Sequence, residues 1–136
     1  MKKQHLGRKK MKRILCLALV LVTLVCCLAS CGEGKKGYKA CIEYLGEVLY
    51  VPSSLIIYEA SSVTDKENNR IYYLIEYDAQ NRLGNYGGRE KLYFMYDIET
   101  GKVDLQGEDE YTYILKYANL LQAGANGTDV DYKEYK

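Results

Sequence analysis

Three sets of residues have the types and spacing to do chemistry. Glu76 and Asp78 alternate onto one face of an extended segment, and Asp97 lies on a later segment that can pair across from one of them. Acid–base catalysis needs two groups pushed to different protonation states, and carboxylates are the pair available for it here. The simpler alternative is a solvated sheet edge. Gly84-Asn85-Tyr86-Gly87-Gly88 could turn backbone amides toward an anion. It lacks the Lys-Ser/Thr ending of a phosphate loop and leads into a strand, so a tight turn explains it as well. Asn126-Gly127-Thr128-Asp129-Val130-Asp131, with Glu134 beyond, supplies oxygen ligands, but its glycine is misplaced for a calcium loop. A polar, frayed tail accounts for that composition. No catalytic residue, metal ligand or cofactor is assigned on these grounds.

The missing side chains restrict function further. The single His is His5, and Trp is absent. His5 precedes a long apolar run inside a segment that reads as an export signal, so an imidazole-based triad or Cys-His pair is excluded from the product. Of five cysteines, Cys16, Cys26 and Cys27 fall within that segment, leaving Cys31 and Cys41. Cys41 sits at an apolar helical position and reads as a small buried residue.

Lys2, Lys3, Arg8, Lys9, Lys10, Lys12 and Arg13 precede an uncharged stretch from Ile14 to Leu28. At fifteen residues it is shorter than the roughly 20 that span a bilayer. It ends in Leu28-Ala29-Ser30-Cys31-Gly32. This pattern of an apolar residue, two small ones and a cysteine resembles the lipobox of bacterial lipoproteins. The resemblance implies that Cys31 receives a diacylglyceryl group and that a peptidase cuts between Ser30 and Cys31. Two acyl chains make membrane attachment effectively permanent. An uncleaved anchor helix is the alternative. Met11-Lys12-Arg13 would open a compact signal by itself, so translation can start at Met1 or Met11 with the same product.

The reading therefore divides the chain into a removed signal at 1–30, a tether at 31–37, a domain at 38–123 and a polar, disordered tail at 124–136. No acid precedes Glu33, so beyond residue 30 the chain holds twelve basic and eighteen acidic residues, a net charge of −6. Attraction to nucleic acid is not expected. Gly32-Glu33-Gly34-Lys35-Lys36-Gly37 reads as a flexible spacer with a reach of about 13 Å.

Tyr38, Cys41, Ile42, Leu45, Val48 and Leu49 trace one helical face, and Pro52 stops the helix. Ser54 to Ala60 reads as a strand and Ser61 to Asn69 as its loop. Arg70 to Ala79 places Ile71, Tyr73, Ile75 and Tyr77 on one face, with Tyr72, Leu74, Glu76 and Asp78 on the other. Glu90 to Ile98 repeats this alternation, and Glu99-Thr100-Gly101-Lys102 turns into a short strand at Val103 to Leu105. Tyr111, Ile114, Leu115, Ala118, Leu121 and Gln122 trace a second helix ending at Gly124. The fold class expected is α+β, a helix on a three- to four-stranded antiparallel meander with a C-terminal helix. Leu49-Tyr50-Val51-Pro52-Ser53-Ser54-Leu55 and Glu76-Tyr77-Asp78-Ala79-Gln80-Asn81-Arg82-Leu83-Gly84 resemble a small domain of secreted Gram-positive proteins, which implies the same architecture.

Fifteen tyrosines against one Phe suit half-buried surfaces, where the ring packs and the hydroxyl finds a partner. With the first helix on the Ile71-Tyr73-Ile75 face, Tyr72, Leu74, Tyr93 and Met95 form an aromatic stripe on the other. Open, that stripe is a candidate binding surface; beneath the second helix, it is core. The function expected is a membrane-tethered, extracytoplasmic, non-catalytic module that binds an envelope protein or glycan, with membrane lipid as partner through Cys31. A carboxylate enzyme or a structural accessory of a membrane complex is the alternative.

Overall fold

The computed structural model describes residues 32–105, 110–128 and 130–136. The segment read as an export signal, the expected cut between Ser30 and Cys31, Cys31 itself and the expected start at Met1 or Met11 lie outside them. The chain divides into Met1–Glu33 and Gly34–Lys136. Of the first unit, only residues 32 and 33 are described, and both are helical.

In the second unit, period-two alternation of branched and aromatic residues builds a five-stranded antiparallel sheet. Its strands are β1 (Ile56–Asp65), β2 (Arg70–Asp78), β3 (Glu90–Asp97), β4 (Val103–Leu105) and β5 (Tyr132–Tyr135), ordered β4-β3-β2-β1-β5. Tyr73 pairs with Phe94 on one side and Ser62 on the other. Ile71, Tyr73, Ile75 and Tyr77 join Phe94 and Tyr96 in one buried cluster, while Tyr72 and Val63 lie in a second. The two faces of β2 thus feed separate cores. Each buried Phe or Ile side chain contributes about 1.5–3 kcal/mol.

β1 runs five residues past the expected strand end at Ala60. Ser61 and Ser62 read as loop because they are polar, yet both are buried with their hydroxyls paired. Ser61 Oγ bonds the Tyr117 hydroxyl at 2.6 Å, and Ser62 Oγ bonds that of Tyr135 at 2.9 Å. A buried hydroxyl with a partner loses little, so two serines pass through a core strand.

Helix α1 covers residues 34–48 of this unit. It packs on the Tyr73 face with Gly34, Gly37, Cys41 and Leu45 buried along one stripe. The flexible tether expected through Gly37 is corrected here, since residues 32–37 are helical. Glycine lowers helix propensity by about 1 kcal/mol, but here the missing side chains admit the sheet's rings. Tyr73 donates its hydroxyl to the Gly34 carbonyl at 2.8 Å, and the rings of Tyr38 and Tyr135 stack at 4.6 Å. Packing overrides propensity. Cys41 is fully buried, and burial pushes its thiol well above the ordinary value, so it behaves as an inert apolar residue.

Helix α2 (Glu110–Ala125) covers the opposite face. It is rotated from the expected face: Tyr113, Tyr117 and Leu120 pack inward, whereas Leu115 and Leu121 are exposed. Lys116 Nζ binds Asp65 Oδ2 at 2.9 Å. Burial alone would raise the Asp65 carboxyl, but hydrogen bonds from Asn68 and Lys116 outweigh it and hold the carboxyl below its usual value. The tail expected to be disordered is corrected too. Thr128 N–H closes on the Ala123 carbonyl, Gly127 takes a positive φ of 89°, and the chain returns as β5 beside Ala60–Val63. The pattern was hidden because Tyr132–Tyr135 pairs only with the serine-bearing part of β1.

Candidate functional site

The stripe proposed as a binding surface is not open. Tyr72 is buried, and Leu74, Tyr93 and Met95 pack with it beneath α2. Tyr113 meets Tyr72 edge-on at 6.0 Å, and Tyr117 meets Tyr93 at 5.7 Å. These four residues are therefore core. With α1 on the other face, both broad faces of the sheet are covered.

The carboxylates do not converge as a catalytic pair. Asp97 lies opposite Arg70 at one end of β2, and Asp78 stands at the other. Eight residues of extended chain put them about 26 Å apart. Asp97 accepts the Thr100 N–H at 2.9 Å, the leading reason its carboxyl is held below the ordinary value. Glu76 faces the Arg89 guanidinium at 4.0 Å. The amides of Gly84, Asn85 and Gly88 are likewise engaged internally. Asn81 Oδ1 accepts from Leu83 and Asn85, and Asp78 Oδ1 accepts the Gly88 N–H. Gly84 and Gly88 have φ of 77° and 106°, values that side-chain-bearing residues rarely adopt. Of the proposed calcium loop, Asp129 lies outside the described residues, and Asp131 pairs with Lys133 at 3.3 Å.

The two turn patterns singled out in the sequence, at 49–55 and 76–84, meet in space. The helix ends at Val48, and Pro52 starts a short 3-10 turn, Pro52–Ser54. Ser54 donates its hydroxyl to the Val51 carbonyl at 2.6 Å and accepts the Gln80 N–H at 2.8 Å. The Tyr86 hydroxyl donates to the Ser54 carbonyl. The Arg82 guanidinium lies 4.9 Å from the Tyr50 ring centroid, and that of Arg89 lies 4.0 Å from Tyr58's.

Between these segments lies a cleft of about 310 Å³. Val48, Leu49 and Tyr50 form one wall; Tyr77, Asp78 and Glu90 form part of the other. Glu90 Oε2 accepts the Tyr77 hydroxyl at 3.1 Å. Around the cleft, Val48, Tyr50, Leu83 and Tyr86 are exposed, Leu83 at 83%. Apolar exposure around a cleft makes this end of the domain the candidate contact surface. Sequence reasoning found the turn but not the cleft, because its walls come from segments thirty residues apart. The only local signal was the pairing of a Pro-stopped helix with an Asn/Gly-rich connection.

The tyrosines make the fold sensitive to alkali. Burial raises the Tyr73 hydroxyl above its ordinary value and, helped by Glu90 and Asp78, pushes Tyr77 up to about 12. Tyr38 and Tyr117 are raised as well, again led by burial. In each case the native state holds its proton at a pH where the unfolded chain has lost it. The stabilisation is full below the ordinary tyrosine value of 10.0 and is lost as pH rises through about 12. Urea midpoints at pH 8 and pH 11, with tyrosinate absorbance followed in parallel, should fall at the higher pH. Equal midpoints, with every tyrosine ionising near pH 10, would contradict the buried hydroxyls.

No protein-family model, curated protein or solved structure matches this chain.

Proposed function

We propose that this chain is an extracytoplasmic lipoprotein, tethered through Cys31, whose domain is a non-catalytic binding module at the cell envelope. The observation that carries the tether is Leu28-Ala29-Ser30-Cys31 behind a basic, then apolar, segment. No helix among the described residues is long and apolar enough to cross a membrane. The domain's architecture supports the binding role. Both sheet faces are spent on core, and exposed apolar side chains gather around the cleft.

The placement suits a tethered module. Cys31 precedes Gly34, the first residue of the domain, by three positions in the chain. Gly34 and the cleft residue Val48 stand at opposite ends of α1, about 21 Å apart by helical rise. The cleft thus lies at the end of α1 that is farther along the chain from the proposed anchor, and an envelope protein or glycan is the partner proposed for it.

Metabolic labelling with an alkyne fatty acid tests the tether. Wild type and Cys41→Ala should carry label, and Cys31→Ala should lose it completely. An unlabelled wild type would overturn the proposal.

A further inference from the structure

Resting on the reading of that end as the contact surface, we infer that the cleft takes a small organic cation: an ammonium group on a short apolar body. The charge of the lining decides the class. Asp78 and Glu90 are its charged members, and no Lys or Arg lines it. Asp78 is buried at 8% exposure, so its charge meets little solvent screening.

A second source of negative potential is independent of these side chains. Val48 and Leu49 lie where α1 ends, and a helix C-terminus carries about half a negative charge. The remaining walls suit the body of such a ligand. Tyr77 and Leu49 supply apolar surface, and the Tyr50 ring already carries the Arg82 guanidinium over its face. Arg82 itself is exposed and lies outside the lining. An anion would face two carboxylates and a helix C-terminus. A neutral ligand would gain nothing from that charge, since Asp78 and Glu90 already accept the Gly88 N–H and the Tyr77 hydroxyl.

Three probes share one body and differ in charge: phenethylammonium, 2-phenylethanol and 3-phenylpropionate. Each is titrated into the full chain, isotope-labelled and held in non-ionic detergent, while the amides of Asn81, Gly87 and Gly88 are followed by NMR. Phenethylammonium should shift these amides saturably, at least about tenfold more tightly than the alcohol, since a charge-assisted hydrogen bond supplies that factor. The carboxylate should leave them unmoved. Glu90→Gln can still accept the Tyr77 hydroxyl, and it should weaken the ammonium about tenfold and the alcohol hardly at all.

Equal binding of alcohol and ammonium, or tighter binding of the carboxylate, would overturn the cation while leaving this end as a contact surface. No shift with any probe would overturn the cleft as a small-ligand site and the cation with it. The lipid tether is judged separately, by the acyl label.

Discussion

Gly37→Val is expected to remove a large share of the domain's stability. A Cβ at position 37 would come within 2.9 Å of Tyr73 Cζ and Tyr96 Cδ1, and closer still to the Tyr73 hydroxyl. Neither ring has room to yield. Tyr73 is fully buried and bonded to the Gly34 carbonyl, and Tyr96 is 5% exposed in the same cluster. Overpacking a core costs about 1–3 kcal/mol, and valine adds two methyls beyond the clashing Cβ. Better helix propensity offsets at most about 1 kcal/mol of this. Against a total of roughly 5–15 kcal/mol for a domain of this size, the loss is visible in any urea melt. Gly46 is the control, because a Cβ there meets nothing within 4 Å. Gly46→Ala should stabilise by about 0.5–1 kcal/mol. If Gly37→Ala stabilised equally, the close approach of α1 to the sheet would be refuted.

Tyr73→Ala should have a still larger effect, for the opposite reason. The ring sits between Phe94 and Ser62 across the sheet and lies 5.9 Å from the Tyr135 ring. Deleting it leaves a cavity under a helix that α1's glycines cannot fill, at a cost of about 3–5 kcal/mol. Tyr73→Phe keeps the packing and loses the hydroxyl's bonds, chiefly that to Gly34, about 1 kcal/mol. The two variants separate ring from hydroxyl. Equal losses in urea would place the energy in the hydrogen bond and contradict a packing role.

How far the fold could be read from the chain depends on where each signal lies. β2 and β3 were legible because Ile71, Tyr73, Ile75 and Tyr77, like Leu92, Phe94 and Tyr96, alternate over a full strand. Ser61 and Ser62 were not, since only their partners Tyr117 and Tyr135, more than fifty residues away, make them core. Gly34 and Gly37 carry no local sign distinguishing a spacer from a close helix–sheet contact. Only Tyr73 decides it. Tyr72, Leu74, Tyr93 and Met95 were correctly placed on one face. Whether that face was open rested on the direction of α2, which the helix's own sequence poorly specifies: Leu115 and Leu121 are exposed while Tyr113 and Tyr117 face inward. The cleft was legible only as two turns. Their meeting depends on Ser54 and Gln80, neither of which announces a long-range bond.

The central claim is that Cys31 begins the working protein and carries its anchor. The direct test is the intact mass of the native chain extracted from membranes. The account predicts a polypeptide starting at Cys31, lighter by residues 1–30 and heavier by a diacylglyceryl group. A full-length chain with an unmodified Cys31 would contradict it and would make the apolar run from Ile14 to Leu28 the anchor instead.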